Sequence, residues 1–454
     1  MKHIFLLIFV FIVSVVDAQV WITTGDQSML LKQQAVDTDG VLSNLPTIEI
    51  NAQKKYQSVD GFGFTLTGGS AFLINRMNPT AKAALLNELF GKGENAIGIS
   101  YLRLSIGASD LSASVFSYDD LPAGQTDEKL LKFSLSTDTV DLVPLLKEII
   151  AINPNIKIMG SPWSPPVWMK SNKSSKGGFL MPRYYAAYAH YFVKYIQAMK
   201  ANGINIEAVT IQNEPHHGGN NPSMKMEPNE QADFIKNHLG PRFKASNINT
   251  KIIVWDHNCD EPNYPIEVLS DAGANQYIDG SAFHLYNGKI SALSIVKEKF
   301  PEKNLYFTEQ WTGKNGTFSG DLSWHVKNVV IGSMNNWSKV ALEWNLANDP
   351  GYGPHTQGGC TECKGALTID GSAVQRNVAY YIIAHASKYI PSGSVRIGST
   401  VVAGLPSVSF MTPEKKVVLI VVNEKNAMQQ FKVKYLDREI KISLKGGAVS
   451  TVVL

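Results

Sequence analysis

Cysteine is scarce in this chain of 454 residues, which contains only Cys259, Cys360 and Cys363. An odd number of cysteines leaves at least one unpaired, and Cys360 and Cys363 are the only local candidates for a disulfide. Free thiols are the alternative. A structural zinc site usually takes a second pair of ligands, which the sequence does not place at a suitable spacing. We therefore predict no metal site and leave the pairing of these cysteines open.

Charge is also limited, since charged residues make up 18% of the chain and the formal net charge is +3. Without a strongly basic balance or a basic run, nothing points to nucleic acid as a partner. A phosphate-binding turn is missing as well, because the glycines of residues 61–69 do not have the GxGxxG spacing. The sequence predicts no cofactor.

Long apolar runs are missing except at the N-terminus, where one extends from Ile4 to Val16. It follows Lys2, leads into residues 16–18 with small side chains at the cleavage position, and is too short to span a membrane comfortably. We expect residues 1–18 to be a signal peptide and the mature chain to be exported to the periplasm or the medium. An N-terminal membrane anchor is the alternative. No membrane span is predicted after removal of the signal.

Between residues 57 and 388, short apolar segments typical of strands alternate with amphipathic segments typical of helices. This order predicts a parallel sheet, and eight such units are the number that closes a (β/α)8 TIM barrel. An open, doubly wound sheet is the alternative. The predicted strands are Ser58–Phe64, Ser100–Ser105, Ile156–Ser161, Ala208–Gln212, Lys251–Trp255, Gly280–His284, Leu305–Thr308 and Lys339–Trp344. The predicted helices are Thr80–Leu89, Val140–Ile152, Arg183–Ala201, Asn229–Phe243, Ile290–Lys299, Trp324–Asn336 and Val374–His385.

Both ends of the chain have a different pattern. Residues 389–454 contain alternating apolar and polar segments separated by turns, which predicts an appended antiparallel β-sandwich. We expect short strands within residues 19–56 to join it, because a lone strand pair would be marginally stable.

In a (β/α)8 barrel, the active site is built at the C-terminal ends of the strands. Glu214 follows the fourth predicted strand and Glu309 follows the seventh, so the two carboxylates can face each other across the barrel mouth. A retaining glycoside hydrolase needs two carboxyl groups about 5–5.5 Å apart. We therefore predict Glu309 as the nucleophile and Glu214 as the acid/base, with repulsion from Glu309 raising the pKa of Glu214.

Other polar residues near the same strand ends support these roles. We expect Arg103 and the Tyr286 hydroxyl to keep Glu309 ionised, and Asn213 to bind the sugar 2-OH, a contact that strengthens in the transition state.

Three further residues have two possible interpretations. Trp163 and Trp344 could stack on sugar faces or could be core residues, and His284 could bind substrate or be a core histidine. Residues 256–261 contain acidic and histidine side chains too closely spaced for one metal site, and we interpret them as a polar loop.

Several segments resemble glycoside hydrolase family 30, and most closely its glucosylceramidase (lysosomal acid β-glucosidase) branch. They are Gly61–Gly63, Ser109–Ser112, Ser161–Lys170 with the sequence SPWSPPVWMK, Thr210–Pro215, Phe307–Glu309 and Glu343–Ala347. The resemblance implies a barrel joined to a β-sandwich made from both chain ends, and a retaining β-glycosidase mechanism. By position it assigns the acid/base to Glu214, the nucleophile to Glu309, a contact with the nucleophile to Tyr286, and sugar contacts to Asn213, Trp163 and Trp344.

One position departs from that branch. Thr67-Gly68 stands where the branch has Thr-Asp, whose carboxylate would hold the outer hydroxyls of glucose. Our main hypothesis is a glucosylceramidase-like β-glucosidase acting on a carbohydrate or glycolipid. The alternatives within the family are an endo-β-1,6-glucanase, a β-xylosidase and a β-fucosidase. A non-catalytic glycan-binding protein is the alternative of another class, and the presence of both glutamates argues against it.

Overall fold

Eight parallel strands form a closed barrel in a computed structural model that describes residues 18–36 and 44–454. Each strand pairs with the next one along the chain, and the eighth pairs with the first. The alternation of strands and helices therefore produces the predicted TIM barrel rather than an open sheet. The strands are Gly61–Thr65, Tyr101–Ser105, Lys157–Ser161, Ala208–Thr210, Lys251–Cys259, Ile278–Gly288, Asn304–Glu309 and Ser338–Asn345. The signal peptide prediction falls on residues 1–18, of which 1–17 lie outside the described residues.

A layer of buried side chains fills the barrel and leaves its C-terminal end for a site. Seven of the eight strands contribute to this layer, which is dominated by apolar and aromatic residues. Its members are Tyr101, Met159, Ala208, Ile253, Ala282, Tyr306, Val340 and Leu342.

Helices surround the barrel, and local sequence explains where several begin. Asn78 caps one helix by accepting a hydrogen bond from the Ala81 N–H, and Pro79 occupies its first position, where no donor is needed. The helix Tyr185–Ala201 buries an aromatic face against the barrel. The main helices are Gly68–Asn75, Pro79–Phe90, Leu142–Ile152, Tyr185–Ala201, Pro228–Phe234 continued through Ala245, Asn263–Ser270, Ala272–Asn275, Ala292–Lys299, Phe318–His325 continued through Asn335, and Val378–Ser387.

Several predicted boundaries differ from the structure, and three differences change the type or number of elements. The segment predicted as one strand from Ser58 to Phe64 is divided, because an N-terminal strand ends at Ser58 and the first barrel strand begins at Gly61. The predicted helix Val374–His385 begins only at Val378, since residues 373–376 pair with residues 367–370. Residues 256–259 are not a loop, because the fifth barrel strand continues through them.

The two chain ends together form a nine-stranded sheet, which confirms the predicted joint domain. It is mixed rather than purely antiparallel, because residues 432–434 pair in parallel with residues 47–49. Its strands, in spatial order, are Lys32–Gln34, Gln19–Thr23, Val449–Val453, Val417–Val422, Ser407–Met411, Val395–Ser399, Thr47–Ser58, Gln429–Tyr435 and Arg438–Leu444.

A buried histidine joins this sheet to the barrel. His385, in the last barrel helix, lies 2.8 Å from the hydroxyls of both Thr23 and Thr451. Burial lowers the pKa of His385 to about 3, so the ring is neutral and can donate to one hydroxyl while accepting from the other. Within residues 18–36 and 44–454, no helix has the length and apolar character required to cross a bilayer.

Candidate active site

A cavity of about 270 Å³ opens at the C-terminal ends of the barrel strands. Six of the eight predicted site residues line it, namely Trp163, Asn213, Glu214, Tyr286, Glu309 and Trp344. Arg103 and His284, predicted as substrate-binding residues, are fully buried beneath it and contact its carboxylates. The eight predicted residues therefore lie together in the structure, six at the cavity surface and two in a buried layer beneath it.

The position of Glu214 depends on an unusual backbone conformation. The fourth strand ends at Thr210, and Glu214 has a φ of +48°, which is uncommon for a residue with a side chain. Its N–H donates to the carbonyl of Asp256 at 3.0 Å, and the Asn213 N–H donates to the carbonyl of Pro162 at 2.8 Å. Neighbouring strand ends therefore hold the segment that presents the Glu214 carboxylate to the cavity.

Glu309 ends the seventh strand and accepts hydrogen bonds on both carboxylate oxygens. Arg103 Nη1 donates to Oε2 at 2.5 Å, and the Tyr286 hydroxyl donates to Oε1 at 2.9 Å. His284 Nδ1 lies 3.6 Å from Glu309 Oε1 and 3.3 Å from Glu214 Oε1. One carboxylate oxygen of Glu214, one of Glu309 and one ring nitrogen of His284 lie within 4.8 Å of one another. The two carboxyl groups are therefore close enough to act on one glycosidic bond as a retaining pair.

Asp256 is the residue that links the buried layer, although sequence reasoning interpreted it as part of a polar loop. Both Trp255 and Asp256 have positive φ values, and the pairing register shifts between Trp255 and His257. Such a bulge re-aims side chains, and here it turns the Asp256 carboxylate into the barrel. The carboxylate accepts from Arg103 at 2.8 Å, lies 3.1 Å from His284 Nε2, and also accepts from the hydroxyls of Ser161, Thr210 and Thr308.

The charge on His284 is set by the carboxylates around it. Burial opposes a positive charge, but Glu309, Asp256 and Glu214 outweigh it and raise the pKa of His284 to about 9. His284 is therefore an imidazolium at neutral pH and can donate from Nδ1 to Glu214. The same three residues, Glu214, His284 and Glu309, are those among the described residues that could hold a metal ion. Both carboxylates already accept hydrogen bonds from protein donors, Glu309 from Arg103 and Tyr286 and Glu214 from His284, which fits a hydrogen-bonded cluster.

The pKa of Glu214 is lowered and that of Glu309 is raised, which is the reverse of the predicted order. Burial acts on both, and repulsion from Glu214 reinforces it at Glu309, whose pKa is raised despite His284 and Arg103. At Glu214 the hydrogen bond and charge of His284 outweigh burial and lower the pKa. The sequence predicts that Glu309 raises the pKa of Glu214. In the structure the imidazolium overrides this repulsion, and the proton nearest to Glu214 is on His284 Nδ1.

Aromatic residues and a disulfide form one wall of the cavity. The rings of Trp163 and Trp344 lie 5.3 Å apart, and the Arg103 guanidinium lies 4.8 Å from the Trp163 ring. Cys360 and Cys363 are joined in a disulfide, which decides between the two interpretations of this pair. Both cysteines line the cavity beside the tryptophans.

Asp110 is a cavity residue that was not predicted as part of the site, although its segment was among those resembling the family. It is buried and one of its carboxylate oxygens has no hydrogen-bond partner. Burial, together with Glu309 and Glu214, raises the pKa of Asp110 to about 7. Gly68, the position that departs from the glucosylceramidase pattern, does not line the cavity, and a Cβ there would lie 3.2 Å from the Ser112 hydroxyl.

Glu343, near the end of the eighth strand, does not reach the cavity although it belongs to a segment that resembles the family. It is buried and lies 2.8 Å from His325 Nδ1 in the surrounding helix, away from the cavity. Successive side chains of a strand point to opposite faces, so the neighbouring Trp344 reaches the cavity and Glu343 does not.

Comparison with known protein families shows to which family the chain belongs. Residues 59–390 match the TIM-barrel domain of glycosyl hydrolase family 30, and residues 393–452 match the beta sandwich domain of the same family. The chain belongs to glycoside hydrolase family 30. As a family 30 member, it is a retaining glycoside hydrolase with a carbohydrate substrate.

The family 30 relatives differ in similarity. An endo-1,6-beta-D-glucanase of Neurospora crassa is 36% identical over 78% of this chain and 75% of its own length. The solved structure of an endo-beta1,6-glucanase has 37% identity and a TM-score of 0.89, covering 96% of this chain and 99% of that one. The lysosomal acid glucosylceramidase of Mus musculus is 28% identical over 83% of this chain and 77% of its length. The chain is thus more similar to these glucanases than to the glucosylceramidase.

Replacement of Asp256 by asparagine is expected to lower the free energy of unfolding by about 3–5 kcal/mol, because it leaves the buried Arg103 and His284 charges with one partner fewer. Urea denaturation measures this change. The Glu148→Gln variant is the control, since the exposed pair of Glu148 with Lys82 should contribute no more than about 1 kcal/mol. Equal, small losses in both variants would show that Asp256 does not hold the buried layer together.

Proposed function

We propose that this chain is an exported endo-β-1,6-glucanase that cleaves its substrate with retention of configuration. The observation that carries this specificity is the similarity to endo-1,6-β-glucanases at 36–37% identity, against 28% for the glucosylceramidase. This similarity favours β-1,6-glucan over glucosylceramide as the substrate. The similarity extends over nearly the whole length of the solved glucanase.

Two displacements account for the reaction. Glu309 attacks the anomeric carbon of the sugar while Glu214 donates a proton to the departing glycosidic oxygen, which forms a glycosyl ester on Glu309. Glu214 then takes a proton from water, and that water attacks the anomeric carbon and releases Glu309. The configuration is retained because each displacement inverts it.

Four neighbouring side chains assist Glu214 and Glu309 in these two steps. Arg103 and Tyr286 stabilise the leaving carboxylate of Glu309 in the second step, because each donates to one of its oxygens. Arg103 Nη2 also donates to Asn213 Oδ1 at 2.6 Å, which orients the Asn213 amide so that its N–H groups can face the sugar 2-OH. His284 supplies Glu214 with the proton that the first step requires, across the 3.3 Å between them.

A substrate panel tests the specificity. The mature protein should cleave β-1,6-glucan to a ladder of short β-1,6-linked oligosaccharides, with much slower release of glucose from aryl β-glucosides and negligible turnover of glucosylceramide. Chromatography of the products over time distinguishes internal cleavage from removal of terminal sugars. Faster turnover of glucosylceramide, β-xylosides or β-fucosides than of β-1,6-glucan would contradict the proposal. N-terminal sequencing of the protein recovered outside the cytoplasm, expected to start near Gln19, tests export.

A further inference from the structure

His257 is a buried polar side chain of the cavity that has no assigned role in the proposed mechanism. It lines the cavity, is only 8% exposed, and its Nδ1 has no hydrogen-bond partner. Its Nε2 lies 3.9 Å from Glu214 Oε1, which is too long for a hydrogen bond. Nδ1 is enclosed by protein, so Nε2, on the side of Glu214, is the ring nitrogen that a ligand in the cavity can reach.

The ring is held in this position by its neighbours. It packs against the indole of Trp255 with the ring centres 5.0 Å apart, and its centre lies 6.3 Å from that of His284. Burial lowers the pKa of His257 to about 4, so the ring is neutral at the pH where a glycosidase works. A neutral imidazole carries one donor and one acceptor, which suits a sugar hydroxyl and not an ion.

The side of the cavity on which His257 lies determines what it can contact. The tryptophans and the disulfide pack together as one wall, whereas His257 is beside Glu214. Because the acid must reach the departing oxygen, the sugar that leaves sits next to Glu214 and therefore next to His257. An oxygen at about 2.8 Å from both Nε2 and Oε1 would bridge their 3.9 Å separation.

We propose that His257, together with His217 and Asn220 of the loop that follows Glu214, forms the subsite for the leaving sugar, with the imidazole bound to one of its hydroxyl groups. All three residues line the cavity. The inference deepens the proposed function, on which it rests, and names the residues that recognise the part of the glucan released in the first step and replaced by water in the second.

The trapped glycosyl-enzyme tests this subsite alone. A 2-deoxy-2-fluoro-β-glucosyl fluoride should label the mature protein, and the label should be lost slowly by reaction with water. Added gentiobiose, a β-1,6-linked disaccharide, should accelerate the recovery of activity by occupying the leaving-sugar subsite and accepting the glycosyl group. In the His257→Ala variant this acceleration, expressed relative to the recovery of the same variant in water, should fall about fivefold to tenfold, the effect of one lost hydrogen bond. The His257→Gln variant, which retains a donor and an acceptor, should recover part of the effect.

His216→Ala is the matched control, because His216 also packs on Trp255 but bonds to Glu261 at 2.8 Å and does not line the cavity. Its response to gentiobiose should equal that of the unaltered protein. Laminaribiose and cellobiose are tested beside gentiobiose. A stronger response to one of them, still lost in His257→Ala, would support the subsite and overturn the β-1,6 specificity. An unchanged response in His257→Ala, or no acceleration by any disaccharide, would overturn the subsite. Failure to trap any glycosyl-enzyme would overturn both proposals.

Discussion

Replacement of Glu309 by alanine is expected to reduce kcat/KM on an aryl β-glucoside by about 10,000-fold or more, which equals about 5.4 kcal/mol of lost transition-state stabilisation. The variant lacks the attacking carboxylate, and the donors on Arg103 and Tyr286 lose their acceptor. Steady-state kinetics measure the loss. Glu227→Gln is the control, because this carboxylate is half exposed and does not line the cavity, and it should retain activity within about threefold.

The reaction of the two alanine variants with azide distinguishes the roles of Glu309 and Glu214. In the Glu309→Ala variant, azide can occupy the space of the missing carboxylate and attack the anomeric carbon from the same face, which gives the α-glycosyl azide by a single inversion. In the Glu214→Ala variant, azide instead attacks the glycosyl ester on Glu309 and gives the β-glycosyl azide. The anomeric configuration, read by NMR, therefore assigns each residue independently of rate. A β-azide from the Glu309 variant would overturn its role as the nucleophile.

Replacement of Glu214 by glutamine should have an effect that depends on the leaving group. For β-1,6-glucan, whose departing alkoxide must be protonated, kcat/KM should fall by about 100- to 10,000-fold. For a 2,4-dinitrophenyl β-glucoside, which leaves without protonation, the same parameter should fall less than about tenfold. The amide has nearly the shape of the carboxylate, so the cavity and the contact with His284 are retained. Equal losses on both substrates would contradict the role of Glu214 as the acid.

The pH dependence of kcat/KM in the Glu214→Gln variant provides a second test of the acid role. Loss of activity at high pH in the unaltered protein follows loss of the proton shared by His284 and Glu214, since the pKa of His284 is raised to about 9. With glutamine at position 214, no carboxyl group receives that proton, and the alkaline limb of kcat/KM on β-1,6-glucan, whose leaving group needs the proton, should disappear from the remaining activity. An unchanged alkaline limb would show that another group controls it.

The barrel was predictable because its information is local. Each unit repeats an apolar strand and an amphipathic helix, and such periodicity follows directly from burying one face of each element. The roles proposed for Glu214 and Glu309 were accessible for a related reason, since their places at strand ends put both at the same end of a parallel barrel. The mixed character of the second sheet was not accessible, because the pairing of residues 47–49 with residues 432–434 joins segments from opposite ends of the chain.

Asp256 shows why the buried layer could not be predicted. In the sequence it stands among His257, Asn258 and Asp260, a composition typical of a surface loop. Only the bulge at Trp255 and the long-range partners Arg103, His284 and Thr308 make it a buried carboxylate. Those partners also explain the error in the protonation order, since the imidazolium that lowers the pKa of Glu214 depends on three carboxylates meeting around one ring.

The sequence by itself determined the fold class, the family, and the pair of glutamates at two strand ends, because each of these follows from local pattern and residue type. The tertiary structure alone decided which side chains face the cavity, how protons are distributed between Glu214, His284 and Glu309, and that the cysteines form one of its walls. Electrostatic and hydrogen-bond contacts act over a few ångströms, and these groups come within that distance only when the barrel closes.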